Sequence, residues 1–178
     1  MAAIGLVVAI PVTIAMRGGG DSGGTDVPVA PEPPEVGEVE FDRDLGVELR
    51  LPEGWKRKHQ RDAVSFRSED GSVLIAITAP GPARDVKQIQ EAAVRTIKAE
   101  YRDVDVGGED RGKLGERPAR VAAVAARTPK NRDPVRILVA TARGEKVAYL
   151  VEVFAAGADP NAALVEAQVL LNNLRLEG

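Results

Sequence analysis

Hydrophobic and polar residues alternate along much of the chain, and this two-residue period is typical of strands that bury one face. In the first such segment, residues 46–51, the side chains of Val47, Leu49 and Leu51 share one face and charged residues occupy the other. Residues 73–78 form a nearly continuous apolar run, which is typical of a central strand covered on both faces. Further strands are predicted at about 64–67, 104–108, 119–126, 135–142 and 147–154.

Two segments show a helical period instead. Residues 86–101 place apolar side chains on one face at four-residue steps, and Asp85 fits the N-cap position. A second helix is predicted from Pro160 to about Asn173, because Asp159 can cap it and proline suits the first helical position. The predicted order is βββ-α-ββββ-α. Because hairpins join most strands, we expect an α+β fold in which a mostly antiparallel sheet of about six or seven strands packs against two helices.

The first 17 residues depart from this pattern. Ala2–Met16 carries no charge, but its fifteen residues fall short of the roughly 20 that span a bilayer as a helix. We interpret residues 1–17 as a membrane anchor or signal segment, although no basic residue precedes the apolar run. A transmembrane segment whose start was assigned too late, a short anchor and an atypical signal peptide all fit the pattern. The alternative is a buried strand or helix of the domain.

Residues 18–44 are rich in glycine, proline and acidic residues. Between Asp21 and Asp44 there are eight acidic residues and one basic residue, which gives a net charge of −7. Residues 45–178 have 22 basic and 19 acidic residues, which gives +3. The acidic tract cannot bury enough apolar surface to offset the entropy lost on ordering, so we expect a solvated, partly extended linker. The globular domain is therefore predicted at residues 45–178.

The sequence offers few candidates for catalytic or metal-binding chemistry. It contains no cysteine, which excludes disulfides, thiolate metal sites and a cysteine nucleophile. His59 is the only histidine, its neighbours are basic, and no G-x-S-x-G motif is present. Neither a zinc site nor a Ser-His-Asp triad is therefore predicted. We expect a protein that is not an enzyme and has no catalytic residue, cofactor or metal.

A run of basic residues follows the single tryptophan, Trp55. Its point charges and forked guanidinium donors suit anionic headgroups, anionic polymers or an acidic protein. The candidate anionic-partner patch consists of Lys56, Arg57, Lys58 and Arg61. Because no aromatic residues are interleaved with them, nucleic-acid binding is not indicated, and a solvated strand or loop is the simpler interpretation. A third interpretation is that the acidic linker folds back onto the patch through salt-sensitive ion pairs.

Four short motifs, placed in the predicted order of strands and helices, carry a resemblance to a known family. They are Leu51-Pro-Glu-Gly-Trp55, Leu114-Gly-Glu-Arg-Pro-Ala119, Arg143-Gly-Glu-Lys-Val-Ala-Tyr149 and Leu170-Leu-Asn-Asn-Leu174. From about Leu45 to Glu177 the chain resembles the PsbP-like fold, named for extrinsic subunits of photosystem II. Within that fold it is most similar to the LpqN-type envelope lipoproteins of actinobacteria. The resemblance implies a non-catalytic, extracytoplasmic accessory domain and transfers no catalytic or ligand-binding residue.

One departure from that family bears on how the chain would be held. The lipoproteins carry a lipidated cysteine, and this chain has none, so any tether must be the apolar segment. We therefore expect a single-pass protein of the cell membrane with an extracytoplasmic domain, or a secreted protein if the segment is cleaved. Its expected partner is an envelope protein or an anionic envelope component. The alternatives are a lipid or glycolipid carrier with an internal apolar cavity, and the sensor domain of a larger, truncated membrane protein.

Overall fold

The computed structural model describes residues 39–60 and 62–177, which form ten strands and two α-helices. The strands are β1 (Val39–Asp42), β2 (Val47–Arg50), β3 (Lys56–Gln60), β4 (Ala63–Arg67), β5 (Val73–Pro82), β6 (Arg102–Leu114), β7 (Arg117–Arg127), β8 (Pro134–Arg143), β9 (Val147–Ala155) and β10 (Arg175–Leu176). The helices are α1 (Val86–Glu100), which follows a 3₁₀ turn at Ala83–Asp85, and α2 (Pro160–Leu171).

Seven of these strands form one antiparallel sheet, in the order β3-β4-β5-β9-β8-β7-β6. Tight turns join β3 to β4, β6 to β7 and β8 to β9, and the neighbours produced by those turns pair directly. The central contact between β5 and β9 joins segments that are far apart in the sequence. A second, three-stranded sheet has the order β1-β2-β10. The α+β class and the mostly antiparallel sheet are confirmed.

The large sheet is covered on both faces, and the alternation along β8 shows how. Ile137 and Val139 face the cluster that contains α1, while Leu138 and Ala140 face the cluster that contains α2 and the small sheet. All four side chains are fully buried. The central strands therefore have no polar face, which explains their nearly continuous apolar sequences.

Tyr149 fastens the small sheet to the large one. It is buried on β9, and its hydroxyl lies within hydrogen-bond distance of two backbone carbonyls, those of Leu45 and Glu177. The Leu45 carbonyl lies just before β2 and the Glu177 carbonyl just after β10. A hydroxyl has one proton to donate, so the two carbonyls share it. Tyr149, which belongs to one of the four motifs, therefore holds both the segment before β2 and the segment after β10.

The body begins earlier than predicted. Val39–Asp42 was assigned to the linker of residues 18–44, but it forms β1 and pairs with β2 from Val39↔Arg50 to Asp42↔Val47. The composition of residues 18–44 is typical of a linker. Val39–Asp42 is nevertheless a strand, because its backbone is paired with β2, which lies outside that tract. Strands β3 and β10 were also not among the seven predicted strands.

The helices agree more closely with the prediction. The side chain of Asp159 accepts hydrogen bonds from the first backbone N–H groups of α2, and Pro160 opens the helix, as expected. Helix α2 ends at Leu171 rather than near Asn173. Asp85 precedes α1, but its side chain makes no capping hydrogen bond, because the 3₁₀ turn leads the backbone into the helix instead.

Within the part of the chain that the structure describes, no helix has the length and apolar character needed to cross a membrane. The predicted anchor or signal segment at residues 1–17 lies outside the described residues, as does the predicted linker up to residue 38. Their assignment stays a prediction.

Candidate partner-binding surfaces

Strand β3 carries the basic run and lies at one end of the large sheet. Among the described strands it pairs with β4 alone, and all five of its residues are exposed. Because side chains alternate along a strand, Lys56 and Lys58 point to one face of the sheet, and Arg57 and His59 point to the other. The strand thus divides the predicted patch between two different environments.

On one face, Arg57 is already neutralised by acidic residues of β1. Its guanidinium donates to Asp42 Oδ2 at 2.7 Å and to Glu40 Oε2 at 3.2 Å. His59 Nδ1 lies 2.7 Å from the same Asp42 oxygen, and the backbone N–H of Leu45 donates to the other oxygen. Both carboxylates belong to the acidic tract of residues 21–44. The contacts of Arg57 therefore agree with the interpretation in which that tract folds back onto the basic patch.

The Asp42 carboxyl is 2% exposed, and its electrostatics follow from these contacts. Burial by itself raises the pKa of Asp42, but hydrogen bonds from Arg57, His59 and the Leu45 N–H outweigh it. The pKa of Asp42 therefore lies below its usual value. The ionised carboxylate is the form that this cluster stabilises.

Arg57→Ala is expected to lower the free energy of unfolding by about 1–3 kcal/mol at pH 7, because it leaves the buried Asp42 charge without its main donor. A lowered pKa means that the contribution is present above the unfolded-state pKa, near 4, and is lost as the pH falls through the folded-state pKa. The difference between the variant and the unchanged protein should shrink below pH 4 in urea unfolding. Arg95→Ala, on the exposed side of α1, is the matched control and should change little.

On the other face, three basic side chains project from the end of the sheet. Lys56 lies opposite Arg67 of β4, and Lys58 follows two residues later on the same face. No ion pair or side-chain hydrogen bond of these three residues is found within residues 39–60 and 62–177. We call Lys56, Lys58 and Arg67 the basic edge. The fourth residue of the predicted patch, Arg61, lies outside the described residues.

The surroundings of His59 bear on the expected absence of a metal. Asp42, Asp44 and His59 offer three ligand atoms within 4.8 Å of one another, a grouping that the sequence analysis missed because the acids precede His59 by 15 residues or more. A cation there would have to displace the Arg57 guanidinium from Asp42. We interpret the group as an ion-pair network. In the described residues His59 is hydrogen-bonded to a carboxylate and to no hydroxyl, so only part of a Ser-His-Asp arrangement is assembled.

A cleft of about 680 Å³ lies at the β10 edge of the small sheet, whereas Arg57 contacts the β1 edge. Its lining comes from β2, the β6–β7 turn and the segment from the end of α2 through β10: Glu48, Arg50, Leu114, Gly115, Glu116, Arg117, Pro118, Asn172, Asn173, Leu174, Arg175 and Leu176. Two of the motifs that carry the family resemblance therefore meet in one place. The resemblance transferred no ligand-binding residue from these motifs, and the cleft was not predicted from the sequence.

The motif residues in the cleft have clear packing roles. Arg117 donates to the backbone carbonyls of Leu176 and Arg143, and a Cβ atom at Gly115 would overlap the carbonyl oxygen of Leu174. Arg50 and Arg175 remain exposed at the rim. The cleft is open and bordered by charges, so it differs from the continuous apolar cavity that a lipid carrier needs.

Comparison with known proteins gives a fold and no family assignment. No protein-family model matches the chain, and no curated protein matches it. The described architecture is nevertheless that of the PsbP-like fold, as the resemblance implied.

Three solved structures support this conclusion. Cyanobacterial PsbP (CyanoP) from Synechocystis sp. PCC 6803 is 12% identical, with a TM-score of 0.55 over 88% of this chain and 98% of that one. LpqN of Mycobacterium tuberculosis, described as involved in cell envelope biogenesis, is 11% identical, with a TM-score of 0.52. The match covers 79% of this chain and 90% of LpqN. A Bacteroides thetaiotaomicron protein is 10% identical, with a TM-score of 0.56; the match covers 80% of this chain and about half, 49%, of that protein.

Proposed function

We propose that this chain is a non-catalytic accessory domain of the bacterial cell envelope that binds an anionic partner through the basic edge. In this proposal the domain lies outside the cytoplasmic membrane. Residues 1–17 tether it there, or are cleaved to release it. The similarity in fold to LpqN, which is involved in cell envelope biogenesis, supports an envelope location. At identities of 10–12%, that similarity by itself extends only to the fold.

The observation that carries the proposal is the contrast between the two faces of β3. Arg57 is paired with Asp42 and Glu40, whereas no partner for Lys56 or Lys58 is found among the described residues. Two unpaired ammonium groups two residues apart, with Arg67 opposite one of them, produce a local positive potential on an exposed sheet edge. Such a surface attracts anionic headgroups, anionic polymers or an acidic protein segment, and salt weakens the attraction.

The lysines of β3 also have a simpler explanation, which involves no binding partner. Charged residues, lysine above all, protect an exposed edge strand from pairing with another chain. Protection needs only solvated charges, whereas binding needs an anion that recognises this edge in preference to other basic sites. The experiment must therefore compare lysines at two places on the same protein.

Neither alternative function gains support from a specific feature. The described cleft is open and charged at its rim, unlike the site of a lipid or glycolipid carrier. The sensor interpretation concerns sequence outside the described residues. The lack of enzyme activity stays an expectation.

Charge reversal of the basic edge tests the proposal. Lys56→Glu together with Lys58→Glu is expected to weaken binding to vesicles containing anionic phosphatidylglycerol by about tenfold or more, since each lysine near such a surface contributes about 1 kcal/mol. The control is Lys113→Glu with Lys130→Glu, which makes the same change of charge at two exposed lysines elsewhere. Cosedimentation at low and high salt measures the effect. Equal weakening by both pairs, or no weakening by the first, would contradict the proposal.

A further inference from the structure

A buried glutamate lies beneath helix α1. Glu152 is in β9, opposite Ala76 of β5 and Val139 of β8, and it is fully buried. Its neighbours two residues away on the same face, Leu150 and Phe154, belong to the hydrophobic cluster around α1. Neither of its carboxylate oxygens has a hydrogen-bond partner within residues 39–60 and 62–177. A buried carboxyl group without a partner is rare, because such a group normally forms hydrogen bonds that offset its lost hydration.

Two more polar groups share this interface. Thr78 and Thr141 flank Leu150 on the neighbouring strands, one row of the sheet away from Glu152, and both are buried. Their hydroxyl oxygens also lack hydrogen-bond partners among the described residues. A buried polar group without a partner is destabilising, because it loses its hydration and gains no hydrogen bond in exchange. The polar groups of this face are therefore better satisfied when water reaches them.

Helix α1 covers this face. Its residues Ala93 and Ile97 are buried, and Ile89 and Val94 are half-buried against the same cluster. The amide of the buried Gln90 donates to the Val139 carbonyl and accepts a hydrogen bond from Arg120. The contact between α1 and the sheet thus combines apolar packing, which favours the closed arrangement, with buried polar groups of the sheet, which disfavour it.

The surroundings of Glu152 oppose its ionisation. Burial, and to a smaller extent the charge of Glu100 at the end of α1, raise the pKa of Glu152 well above its usual value. Tyr101, which follows α1, also faces it, and its own pKa is raised. The residues opposite Glu152 on β5 and β8 are uncharged, and Arg120 of β7 is engaged with Gln90 and with Glu109. In the closed arrangement an ionised Glu152 would therefore have no counter-ion in the part of the chain that the structure describes.

We propose that α1 is a proton-linked cover of the large sheet: it stays in place while Glu152 is uncharged and opens when that carboxyl ionises. Opening hydrates the carboxylate and the two threonine hydroxyls and breaks the contacts between α1 and the sheet. By linkage, the equilibrium constant for opening rises tenfold per pH unit between the pKa of Glu152 in the open state and its higher pKa in the closed state. Opening exposes the apolar face that carries Ile137, Val139 and Leu150.

Hydrogen exchange of the full chain at pH 5 to 8, corrected for the intrinsic exchange rates, tests this proposal. The opening constant of α1 amides is expected to rise by up to tenfold per pH unit and to exceed that of α2 amides. In Glu152→Gln the α1 value should become independent of pH. In the matched control Glu145→Gln, which changes an exposed glutamate of the turn between β8 and β9, the slope should persist.

Three results would overturn the proposal. The first is a flat α1 profile in the unchanged protein. The second is an α1 slope that survives in Glu152→Gln. The third is an α1 opening constant equal to that of α2 at every pH, which would mean that α1 opens only on global unfolding. If Glu152→Gln fails to fold, the first and third results still decide the question in the unchanged protein.

Discussion

Gly115→Val is expected to lower the free energy of unfolding by about 2–5 kcal/mol. Gly115 lies in the turn between β6 and β7 with φ +53°, a left-handed conformation that costs other residues about 1–2 kcal/mol. An added Cβ would overlap the backbone carbonyl oxygen of Leu174, and relieving the overlap would separate the turn from the end of α2 at a cost of about 1–3 kcal/mol. Urea unfolding measures the change.

A glycine in the strand before that turn provides the control. Gly108 of β6 has no atom within 4 Å of the place where its Cβ would lie, and its φ is not in the left-handed region. Gly108→Val should therefore leave stability nearly unchanged. If the two variants were equally stable, the turn would not be locked against Leu174, and the wall of the cleft would be less rigid than described.

Glu152→Leu is expected to raise the free energy of unfolding by about 1–3 kcal/mol at pH 7, because it replaces a buried carboxyl without partners by an apolar side chain of similar volume. The pKa of Glu152 is raised in the folded protein, so folding is most favourable below the unfolded-state pKa and loses stability as the pH rises through the folded-state pKa. The gain from the substitution should therefore be smaller at pH 4 than at pH 8.

Urea unfolding at the two pH values measures this gain, with Glu145→Leu as the control. Glu145 is exposed in the turn between β8 and β9, and its replacement should change stability little. A gain of the same size at pH 4 and pH 8 would mean that the carboxyl is not held uncharged. A loss of stability at both values would mean that Glu152 makes favourable contacts that the structure does not show.

Much of the fold follows from the local pattern. Strands β5, β7, β8 and β9 and both helices were predicted from alternation, apolar runs and capping residues, because each buries its own hydrophobic residues. Strand β3 escaped prediction because its sequence, Lys-Arg-Lys-His-Gln, contains only polar residues, and β1 because its four residues, Val-Glu-Phe-Asp, end a tract rich in proline and acidic residues. They are strands because a neighbour pairs with their backbones. Such pairing is a property of the tertiary structure and leaves no periodic signal.

The candidate surfaces were harder to predict for the same reason. The sequence identified the basic run, but it could not show that Arg57 would be paired with Asp42 while Lys58 faced the other side. The cleft depends on contact between two turns that lie more than 50 residues apart. Glu152 did leave a signal: it is the only charged residue in the apolar strand Val-Ala-Tyr-Leu-Val-Glu-Val-Phe-Ala, at a position where both faces are covered.

Site-specific photocrosslinking in the native envelope tests the central claim most directly. A photoreactive phenylalanine analogue replaces Lys58 of the basic edge in the full chain, or replaces the exposed Lys113 as a control. The account predicts a crosslinked product at position 58 that forms outside the cytoplasmic membrane, weakens at high salt and is absent at position 113. Equal products at both positions, or a product that forms only with cytoplasmic components, would contradict it.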